Sequence, residues 1–502
     1  MSFRSVLVAN RGEIAVRVIR ACRELGLESV AVYSDPDRLS PHVRLADRAV
    51  LLGPAPASES YLDVERLLDA ARETGAGAVH PGYGFLAENA EFAAAVEEAG
   101  LVWIGPPAGA IAAMGDKTEA RGRMEAAGVP IIPGSEGALR DPEEAREAAD
   151  AIGYPVMLKA AAGGGGKGMR VVREPGDFES AFRGARSEAR QAFGDDRVYL
   201  ERFLDHPRHI EIQVLADAHG RAVHVGEREC SIQRRHQKLI EEAPSPVVDA
   251  ELRERMGRVA VQAAEAVGYR SAGTVEFLYQ DGDFFFLEMN TRIQVEHPVT
   301  EVVWEIDLVR EQLRIAAGEP LAWEPPEDAP RGHAIECRIG GEDPFAGFLP
   351  SAGRIRALRV PDGPGVRWDG GIEAGFEVGL RYDPLLAKLV VHAPDRAQAI
   401  ARMSRALEEL EVVGLATTAP FHRAVMAEED FREGRLSIRY VEEHDGLLDA
   451  APDAEDLRVA AAAAALLEEE RRQGARPGGG TAPGDGRGGR GRSAWQRAFD
   501  PR

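Results

Sequence analysis

The sequence predicts an α/β protein that opens with a parallel sheet, and two observations support this class. Residues 5–9 are apolar after Ser5, residues 12–24 place apolar side chains at helical spacing, and residues 29–33 are again apolar after Ser29. A strand, a helix and a second strand in that order are typical of a parallel sheet. The chain also has 502 residues, which is too long for one hydrophobic core and indicates about three domains.

Further strands of this first part are predicted at residues 49–52, 78–80 and 102–104. The strand at 78–80 runs into the loop His80-Pro-Gly-Tyr-Gly-Phe-Leu-Ala-Glu-Asn, and loops after parallel strands often bind ligands. The same loop could instead be a tight turn of glycines and proline over an aromatic side chain. The first turn of the sheet lacks Gly-x-Gly-x-x-Gly, so a dinucleotide fingerprint is absent.

A glycine-rich segment, residues 163–168, follows the apolar strand that ends at Lys159. Glycines let backbone N–H groups approach a phosphate, and a lysine at the end of an apolar strand needs an anion beside it. The run does not fit Gly-x-x-x-x-Gly-Lys-Ser/Thr, and it could also be a mobile surface hairpin. Both functions are compatible if the segment is a lid. Strands at 198–204 and 208–214 follow, with backbone groups that could receive an adenine.

Two strands at 273–279 and 283–290 form a hairpin around Gln-Asp-Gly-Asp. Glu276 would then face Glu288, provided that one residue bulges out of the pairing, because a four-residue loop alone places Glu276 opposite Leu287. Glu288 and Asn290 share one face, whereas Leu287 and Met289 should point to the core. Two close carboxylates repel unless a cation lies between them, and oxygen ligands suit magnesium or manganese. A solvated strand face is the alternative interpretation.

Composition excludes several classes of function. The net charge is 61 − 83 = −22, which argues against nucleic-acid binding and requires local basic residues in any site for an anionic substrate. Cys22, Cys230 and Cys337 have no metal-ligand spacing and indicate free thiols in a reducing cytosol. Cys230 lies beside a basic run, so it could be a reactive thiol or a small buried side chain. The N-terminus has no signal-peptide layout and no span suits a membrane, so we expect a soluble, cytoplasmic protein.

The last part of the chain differs in composition. Residues 456–472 predict one helix, and residues 474–493 are rich in glycine, proline and arginine and are expected to be disordered. The arginines could touch nucleic acid or simply solubilise a tether.

Six segments in one order carry a specific resemblance. They are Val8-Ala-Asn-Arg-Gly-Glu-Ile-Ala, the loop 80–89, Gly163-Gly-Gly-Gly-Lys-Gly-Met-Arg, Glu229-Cys-Ser-Ile-Gln-Arg-Arg-His-Gln-Lys, Glu288-Met-Asn-Thr-Arg-Ile-Gln-Val-Glu-His-Pro and Glu336-Cys-Arg-Ile. Together they closely resemble biotin carboxylase, a family of the ATP-grasp superfamily. The resemblance covers about residues 1–445. Beyond it, the closing Ser493-Ala-Trp-Gln-Arg resembles the segment that follows the carboxylase region in longer acyl-CoA carboxylase chains, and a Met-Lys-Met biotin-attachment motif is absent from the sequence.

The resemblance implies an ATP-grasp fold with a Rossmann-like parallel-sheet domain in front, a mobile glycine-rich lid and a C-terminal biotin carboxylase domain. The implied boundaries are 1–114 for the N-terminal domain, 115–330 for the ATP-grasp domain with its lid at about 131–203, 331–445 for the C-terminal domain, and 446–502 for a helix and a disordered tail.

The resemblance also implies the site residues. ATP would be held by Lys117, Lys159, Gly165, Gly166, Glu201, Arg202, Phe203, Leu204, His209, Gln233 and His236. Magnesium or manganese, at two sites, would be held by Glu276, Glu288 and Asn290. Bicarbonate would lie among Lys238, Arg292, Gln294, Val295 and Glu296. Biotin would be surrounded by Tyr83, Gln294, Val295 and Arg338, although an arginine on an alternating strand is more often a surface ion-pair partner.

The implied reaction is ATP-dependent carboxylation of biotin. Glu296 would act as general base on bicarbonate, the product with ATP would be carboxyphosphate, and Arg338 would hold the biotin enolate oxygen. The implied partners are a biotin carboxyl carrier protein, carboxyltransferase subunits and a second copy of the chain. We expect the first half-reaction of an acetyl-CoA or acyl-CoA carboxylase in fatty acid synthesis. The alternatives are a different ATP-grasp ligase and a non-catalytic nucleotide-binding protein that holds a carboxylase assembly together.

Overall fold

The computed structural model describes residues 1–448 apart from 136, 140, 161–168, 194 and 328, and also residues 458 and 461–469. The chain divides into two units, Met1–Asp449 and Ala450–Arg502. The predicted glycine lid, with Gly165 and Gly166, lies outside the described residues, as does the side chain of Lys117. The division of residues 1–445 into three domains stays a prediction.

The first part of the chain is a parallel sheet covered by helices, as the sequence predicts. Its elements are β1 Ser5–Val8, α1 Gly12–Glu24, β2 Glu28–Ser34, α2 Pro41–Leu45, β3 Arg48–Gly53, α3 Val64–Thr74, β4 Ala78–His80, α4 Ala90–Glu98, β5 Val102–Trp103 and α5 Ala108–Gly115. The strand order is β3-β2-β1-β4-β5, and every neighbouring pair is parallel. Helix α3 begins where Asp63 accepts a hydrogen bond from the Arg66 N–H and ends at Gly75 with φ +67°, which are favourable helix-terminal residues.

A small antiparallel sheet follows, and two of the helices beside it complete its apolar core. The elements are α6 Lys117–Ala126, α7 Pro142–Ile152, β6 Val156–Ala160, β7 Arg170–Val172, α8 Phe178–Phe193 and β8 Val198–Arg202. The order is β7-β6-β8. Phe178 and Phe182 of α8 are buried against Val156 and Leu158 of β6, so this region has its own apolar core.

The largest element of the fold is an eight-stranded antiparallel sheet that is flanked by helices. Its first segment contains β9 Arg208–Ala216, β10 Ala222–Arg234, β11 Gln237–Ala243, α9 Ala250–Ala266, β12 Ser271–Gln280, β13 Asp283–Asn290, α10 His297–Trp304, α11 Leu308–Ala316 and β14 His333–Gly340. The chain then continues through β15 Glu342–Asp343, β16 Leu349–Pro350, β17 Gly353–Arg354, β18 Ala357–Arg359, β19 Val366–Gly370, β20 Glu377–Val378, β21 Leu385–Ala393, α12 Arg396–Glu409, β22 Glu411–Val413, α13 Ala419–Ala427, α14 Glu429–Arg432 and α15 Tyr440–Glu443. The order is β13-β12-β9-β10-β11-β14-β21-β19, with antiparallel neighbours throughout.

The β12–β13 hairpin carries the predicted bulge. Gln280 pairs with Asp283 around the turn residues Asp281 and Gly282, which both have positive φ, and Asp-Gly favours this tight turn. The register shifts by one residue after Glu276, so that Glu276 stands opposite Glu288. The prediction that Leu287 points to the core is wrong: Leu287 is itself the extra residue and is 40% exposed, whereas Met289 is 4% exposed, as predicted.

The cysteines, the tail helix and the absence of a membrane span were also predicted from the sequence. Cys22, Cys230 and Cys337 are free and buried, and burial raises the pKa of the Cys230 thiol, so Cys230 is a packing residue. Residues 461–469 are helical and exposed, within the helix predicted for the tail, and the other tail predictions fall outside the described residues. Among the residues that the structure describes, no helix has the length and apolar character needed to cross a membrane.

Candidate active site

A cavity of about 940 Å³ opens on the large sheet, a volume suited to a sizeable ligand. Its walls come from the loop after β4, from β6 and β8, from the large sheet and from the segment before α10. Every predicted site residue whose side chain is described lies on these walls: Tyr83, Lys159, Glu201, Arg202, Phe203, Leu204, His209, Gln233, His236, Lys238, Glu276, Glu288, Asn290, Arg292, Gln294, Val295, Glu296 and Arg338. The structure therefore brings together residues that are up to 255 positions apart in sequence, the separation of Tyr83 and Arg338.

One part of the cavity wall is apolar, and Lys159 lies beside it. Met157 and Met169 line it beside Leu278 and Leu287, so the bulge that exposes Leu287 gives that side chain to the cavity. Lys159 at the end of β6 donates to Glu201 of β8, which supplies the anion that the sequence required. Arg121 Nη1 lies 3.1 Å from the other Glu201 oxygen.

Charged side chains form a row across the floor of the cavity. Glu288, Glu276, Glu211 and Arg228 are successive cross-strand partners on β13, β12, β9 and β10. Directly opposite residues of antiparallel strands share a face, so all four side chains project from one side of the sheet. Helix α10 packs on the same region of the sheet through β10, β11, β14 and β21.

Lys238 binds two acids of this row and also Glu296. Its Nζ donates to Glu211 Oε2 at 2.5 Å, Glu276 Oε1 at 2.9 Å and Glu296 Oε1 at 2.7 Å. A second register shift, at Leu239, places Lys238 opposite Gln233 and turns its side chain toward the cavity. Although burial alone would lower it, these three carboxylates raise the pKa of Lys238 well above its usual value. Lys238 is therefore a fixed positive charge at neutral pH.

Glu276 is the most heavily coordinated acid of the site. Besides Lys238, its Oε1 accepts from Asn290 Nδ2 at 2.8 Å and Gln294 Nε2 at 2.6 Å, and its Oε2 lies 3.0 Å from His209 Nε2. Burial opposes ionisation, but Lys238 and His209 hold the pKa of Glu276 well below its usual value. Burial would lower the pKa of His209, but the carboxylates of Glu276 and Glu211 raise it to about 9. Glu276 is thus a carboxylate and His209 an imidazolium at neutral pH.

Arg228 anchors the row beneath the cavity and is fully buried. Its guanidinium donates to Glu211 Oε1 at 2.5 Å, to Gln213, Thr274 and Thr300 side-chain oxygens, and to Gln294 Oε1 at 2.8 Å. These five side-chain acceptors hold the planar guanidinium of Arg228 in one orientation. It therefore fixes Gln294, which lines the cavity, to the sheet floor.

Arg292 lines the cavity and joins it to the loop after β4. Its Nη2 donates to Asn290 Oδ1 at 3.0 Å, and its Nε donates to Glu88 Oε2 at 2.8 Å. The other Glu88 oxygen accepts from the Thr291 N–H at 3.2 Å. Glu88 belongs to the loop after β4, so the N-terminal part of the chain positions a cation of the site.

Glu296 lies between two cations at the centre of the cavity. Its Oε1 accepts from Lys238 Nζ at 2.7 Å and its Oε2 from Arg338 Nη2 at 2.9 Å. The residue is 2% exposed, and the nearby cations lower the pKa of its carboxyl against the effect of burial. It is an ionised carboxylate that joins Lys238 to Arg338.

Arg338 defines the far end of the cavity. Its Nε donates to Glu241 Oε1 at 2.6 Å, and its backbone carbonyl accepts from Thr418 Oγ1 at 2.7 Å. Glu336, two residues earlier on β14, stands directly opposite Glu241 and has two buried carboxyl oxygens without a hydrogen-bond partner in the described structure. Burial raises the pKa of Glu241 to about 7 and that of Glu336 well above its usual value. Arg338 is thus a half-buried cation paired with two glutamates, Glu241 and Glu296, rather than a surface one.

Family profiles account for almost the whole of the first unit. Residues 2–111 match the biotin carboxylase N-terminal domain, residues 116–324 match the carbamoyl-phosphate synthase L chain ATP-binding domain, and residues 336–443 match the biotin carboxylase C-terminal domain. The chain belongs to the biotin carboxylase family. It is therefore an ATP-dependent carboxylase that forms a carbon–nitrogen bond.

Relatives of the biotin carboxylase family match the chain over most of its length. The chain is 52% identical to biotin carboxylase of Nostoc sp. over 88% of this chain and 99% of that protein. It is 54% identical to a pyruvate carboxylase subunit of Methanothermobacter thermautotrophicus over 89% of this chain and 91% of that protein. It is 52% identical to the chloroplastic biotin carboxylase of Arabidopsis thaliana over 88% and 83%.

Solved structures confirm the predicted fold class. The biotin carboxylase domain dimer of Hydrogenobacter thermophilus 2-oxoglutarate carboxylase, bound to magnesium ADP and bicarbonate, is 49% identical with a TM-score of 0.81, covering 90% of this chain and 100% of that one. Biotin carboxylase of Campylobacter jejuni is 46% identical with a TM-score of 0.80, covering 88% and 99%. The ATP-grasp fold preceded by a parallel-sheet domain is thereby confirmed, whereas the mobility of the lid stays a prediction.

Sequence reasoning missed several residues of this biotin carboxylase site. Glu211, Arg228, Glu241 and Glu88 contact predicted site residues but were not predicted. A signal for Glu211 was present, because His209-Ile-Glu-Ile-Gln213 alternates polar and apolar residues over a fully buried strand. The other three depend on pairings between distant segments that spacing along the chain does not reveal.

Proposed function

We propose that this biotin carboxylase family member carboxylates biotin held on a separate carrier protein, with bicarbonate and ATP as co-substrates. We further propose that the reaction is the first half-reaction of an acetyl-CoA or acyl-CoA carboxylase that serves fatty acid synthesis in the cytoplasm. The observation that carries the proposal is the position of Glu296, which accepts from Lys238 and from Arg338 at the same time. One base thereby borders the sites of two successive steps.

The residues proposed as metal ligands fit a hard divalent cation. Glu276 stands opposite Glu288 in register, and Asn290 contacts Glu276. Their donors are oxygens, and Glu276 is held ionised, which is the state a metal ligand needs. We propose that these three residues hold two magnesium or manganese ions. When bound, such ions neutralise charge on nucleotide phosphates.

ATP is proposed to occupy the apolar end of the cavity. Its adenine would lie against the β8 end and the loop that follows, and its phosphates would face Lys159, His209 and His236. The proposed contacts of the ATP site are Lys117, Lys159, Gly165, Gly166, Glu201, Arg202, Phe203, Leu204, His209, Gln233 and His236. Closure of the glycine segment would exclude water from a reactive anhydride.

Bicarbonate is proposed to bind beside Glu296, among Lys238, Arg292 and Gln294 and the Val295 backbone. The ionised Glu296 would take the bicarbonate proton, and the freed oxygen would attack the γ-phosphorus as its bond to ADP breaks. The products are carboxyphosphate, ADP and a protonated Glu296. Lys238 supports this step because its charge offsets that of the attacking anion.

Biotin is proposed to lie at the far end of the cavity, against Tyr83, Gln294, Val295 and Arg338. Carboxyphosphate would break its carbon–oxygen bond to give carbon dioxide and phosphate. The phosphate would take the ureido N–H proton, and that nitrogen would form the new bond to carbon dioxide. Arg338 would stabilise the enolate oxygen of biotin, a charge that develops only during this step.

The proposed partners follow from this chemistry and from the relatives. A biotin carboxyl carrier protein must deliver biotin, because the chain lacks the Met-Lys-Met attachment motif, and carboxyltransferase subunits must receive the carboxyl group. A homodimer is proposed because the Hydrogenobacter structure is described as a domain dimer. Nucleic acid and membrane partners are not proposed.

A different acceptor is the second candidate, because two relatives act on oxo acids by name: the pyruvate carboxylase of Methanothermobacter and the 2-oxoglutarate carboxylase of Hydrogenobacter. The half-reaction in this chain would be the same, and the partner transferase would choose the acceptor. Copurification of the native partner, followed by assays with acetyl-CoA, propionyl-CoA, pyruvate and 2-oxoglutarate, separates the candidates.

The proposed half-reaction is tested by phosphate release from magnesium ATP. We expect hydrolysis that depends on bicarbonate and accelerates when free biotin is added. A preparation carrying Glu296→Gln, purified identically, measures contaminating ATPase activity. Hydrolysis that ignores both bicarbonate and biotin would contradict the proposal.

A further inference from the structure

Lys388 of β21 is a lysine with no exposed surface, since its side chain is 0% exposed. Lysines are almost never fully buried unless paired, because an ammonium loses its hydration in the interior. The residue faces the cavity side of the sheet, for its cross-strand neighbours are Arg338 on β14 and Asp369 on β19. The groups that contact its ammonium therefore indicate its role.

The Lys388 ammonium joins two segments that wall the cavity. Its Nζ donates to the Val295 carbonyl at 2.9 Å and lies 3.2 Å from Glu13 Oε2. The other oxygen of Glu13 accepts from the Tyr83 hydroxyl. Burial raises the pKa of Glu13, while the Lys388 ammonium acts to lower it. A continuous chain of contacts thus runs from Val295 through Lys388 and Glu13 to Tyr83.

Tyr83 and Glu13 are both held by neighbouring segments of the protein. The Tyr83 loop is held by Asn10, whose Nδ2 donates to the Pro81 and Tyr83 carbonyls at 2.7 Å each. The start of α1 approaches β19 so closely that a Cβ on Gly371 would lie 2.6 Å from the Glu13 backbone nitrogen. The Glu13 backbone therefore has no room to shift toward Gly371. With the Tyr83 loop and the Glu13 backbone fixed in this way, the Lys388 contact decides where the Val295 carbonyl lies relative to Tyr83.

We propose that Lys388 and Glu13 are positioning residues for biotin carboxylation, which hold the Val295 carbonyl and the Tyr83 hydroxyl at the separation that biotin requires. The inference rests on the proposed function and deepens it. Neither residue lines the cavity, so both act through residues that do. The Lys388 contact reaches the peptide that precedes Glu296, but Glu296 itself is held by Lys238 and Arg338. Binding of biotin should therefore be affected more than cleavage of ATP.

A purely structural pair would behave differently when both charges are removed. Replacing a buried ion pair by neutral groups is often neutral for stability, whereas removing one partner is costly. The double variant Glu13→Gln/Lys388→Met removes both charges and also the link between Val295 and Tyr83. Comparison of this double variant with Lys388→Met and Glu13→Gln alone therefore separates stability from positioning.

The experiment measures melting temperature, bicarbonate-dependent phosphate release, and carboxybiotin formed at a series of free biotin concentrations. Lys388→Met should raise KM for biotin about 10- to 100-fold, the scale expected for a misplaced binding wall. Bicarbonate-dependent phosphate release without biotin should fall by a smaller factor, because the Val295 backbone also borders the proposed bicarbonate site whereas Glu296 keeps both of its cations. The double variant should regain the melting temperature but keep the raised KM. Tyr83→Phe should raise KM for biotin as well, because it cuts the same chain of contacts at its far end.

Arg396→Met provides the matched control. Arg396 is another cation that pairs with a buried glutamate, Glu242, at 2.7 Å, and it contacts no residue of the cavity wall in the described structure. It should lower the melting temperature without changing KM for biotin. If Lys388→Met does not fold, Glu13→Gln and the double variant carry the same test.

The inference is overturned if the double variant regains both stability and wild-type KM, or if Lys388→Met changes phosphate release and carboxybiotin formation equally. Wild-type protein that cleaves ATP without carboxylating biotin would instead contradict the proposed function. The two failures are therefore distinguishable in one set of assays.

Discussion

Glu241 and Glu242 are consecutive residues of β11 that project from opposite faces of the large sheet, and both are buried. Burial raises the pKa of each, but Arg396 and His333 reverse the effect at Glu242, whose pKa is about 2. Glu241 shares Arg338 with Glu296 and faces Glu336, so its pKa is raised to about 7. Glu242 therefore has two basic partners of its own, Arg396 and His333. On the cavity face, Glu241 shares its cation, Arg338, with Glu296.

This difference distinguishes a face that stabilises the fold from the face on which the proposed reaction would occur. Five acidic side chains on the cavity side, Glu211, Glu276, Glu296, Glu241 and Glu336, surround the cations Lys238, Arg228 and Arg338. An excess of buried acid is costly for folding, and under the proposed function these acids would supply a base and metal ligands. Substitutions on the two faces should therefore separate activity from stability.

The largest effect is expected for Glu296→Gln, which keeps the size of the side chain and removes the base. Bicarbonate-dependent ATP cleavage and carboxybiotin formation should fall together by roughly 10²–10⁴-fold, because both need carboxyphosphate. Phosphate release and carboxybiotin are measured in the same reactions. Loss of only one of the two activities would show that Glu296 is not the base for bicarbonate.

Arg338→Gln should separate the two activities. ATP cleavage should be spared, while carboxybiotin formation should drop by about 10²–10³-fold, the scale for losing one oxyanion donor. The enzyme would then cleave ATP without carboxylating biotin. An equal fall in both rates would mean that Arg338 acts earlier or only holds Glu296 and Glu241 in place.

Glu242→Gln tests the stabilising face. A carboxyl whose pKa falls from 4.5 to about 2 on folding contributes stability that is complete above pH 4.5 and is lost as the pH falls toward 2. The shift corresponds to roughly 3 kcal/mol at neutral pH. Denaturant unfolding should show this loss at pH 7 and a smaller one near pH 4, with kcat per folded molecule unchanged. A pH-independent difference would refute the assigned ionisation.

Glu336→Gln should have the opposite sign on the cavity face. Because burial raises the pKa of Glu336, the folded state keeps a proton that the unfolded state releases above about pH 4.5, so this group lowers stability as the pH rises. The variant should match wild type near pH 4 and exceed it at pH 8 in the same unfolding experiment. A variant less stable than wild type at pH 8 would show that the Glu336 carboxylate has a cationic partner.

The smallest effect is expected for the second unit. Deletion of residues 450–502 should leave turnover of free biotin and thermal stability unchanged, because Met1–Asp449 forms its own compact unit. Deletion after Glu443 should cost stability, since Leu447 and Leu448 pack on the core of the C-terminal region. Thermal unfolding of both truncations checks the boundary. Equal stability of the two truncations would contradict it.

Local chemistry explains what the sequence could predict. The Asp281-Gly282 turn fixes the β12–β13 hairpin, so the pairing of Glu276 with Glu288 was predictable together with its bulge. The direction of Leu287 was not, since the hydrogen-bond pattern decides which residue of a bulge turns outward. Lys388 and Glu13 are 375 positions apart, and only the docking of α1 against β19 and β21 brings them together. Contacts between distant segments are the part that spacing does not encode.

The central claim, that this chain carboxylates biotin, is tested most directly by following labelled bicarbonate. Purified protein is mixed with magnesium ATP, ¹⁴C-bicarbonate and a biotinylated carrier protein, and carrier-bound label is measured against phosphate released. We expect label on the carrier that requires ATP, that decreases when free biotin is added as a competitor, and that is lost in Arg338→Gln while phosphate release continues. Phosphate release from wild-type protein with no label on biotin or carrier would contradict it.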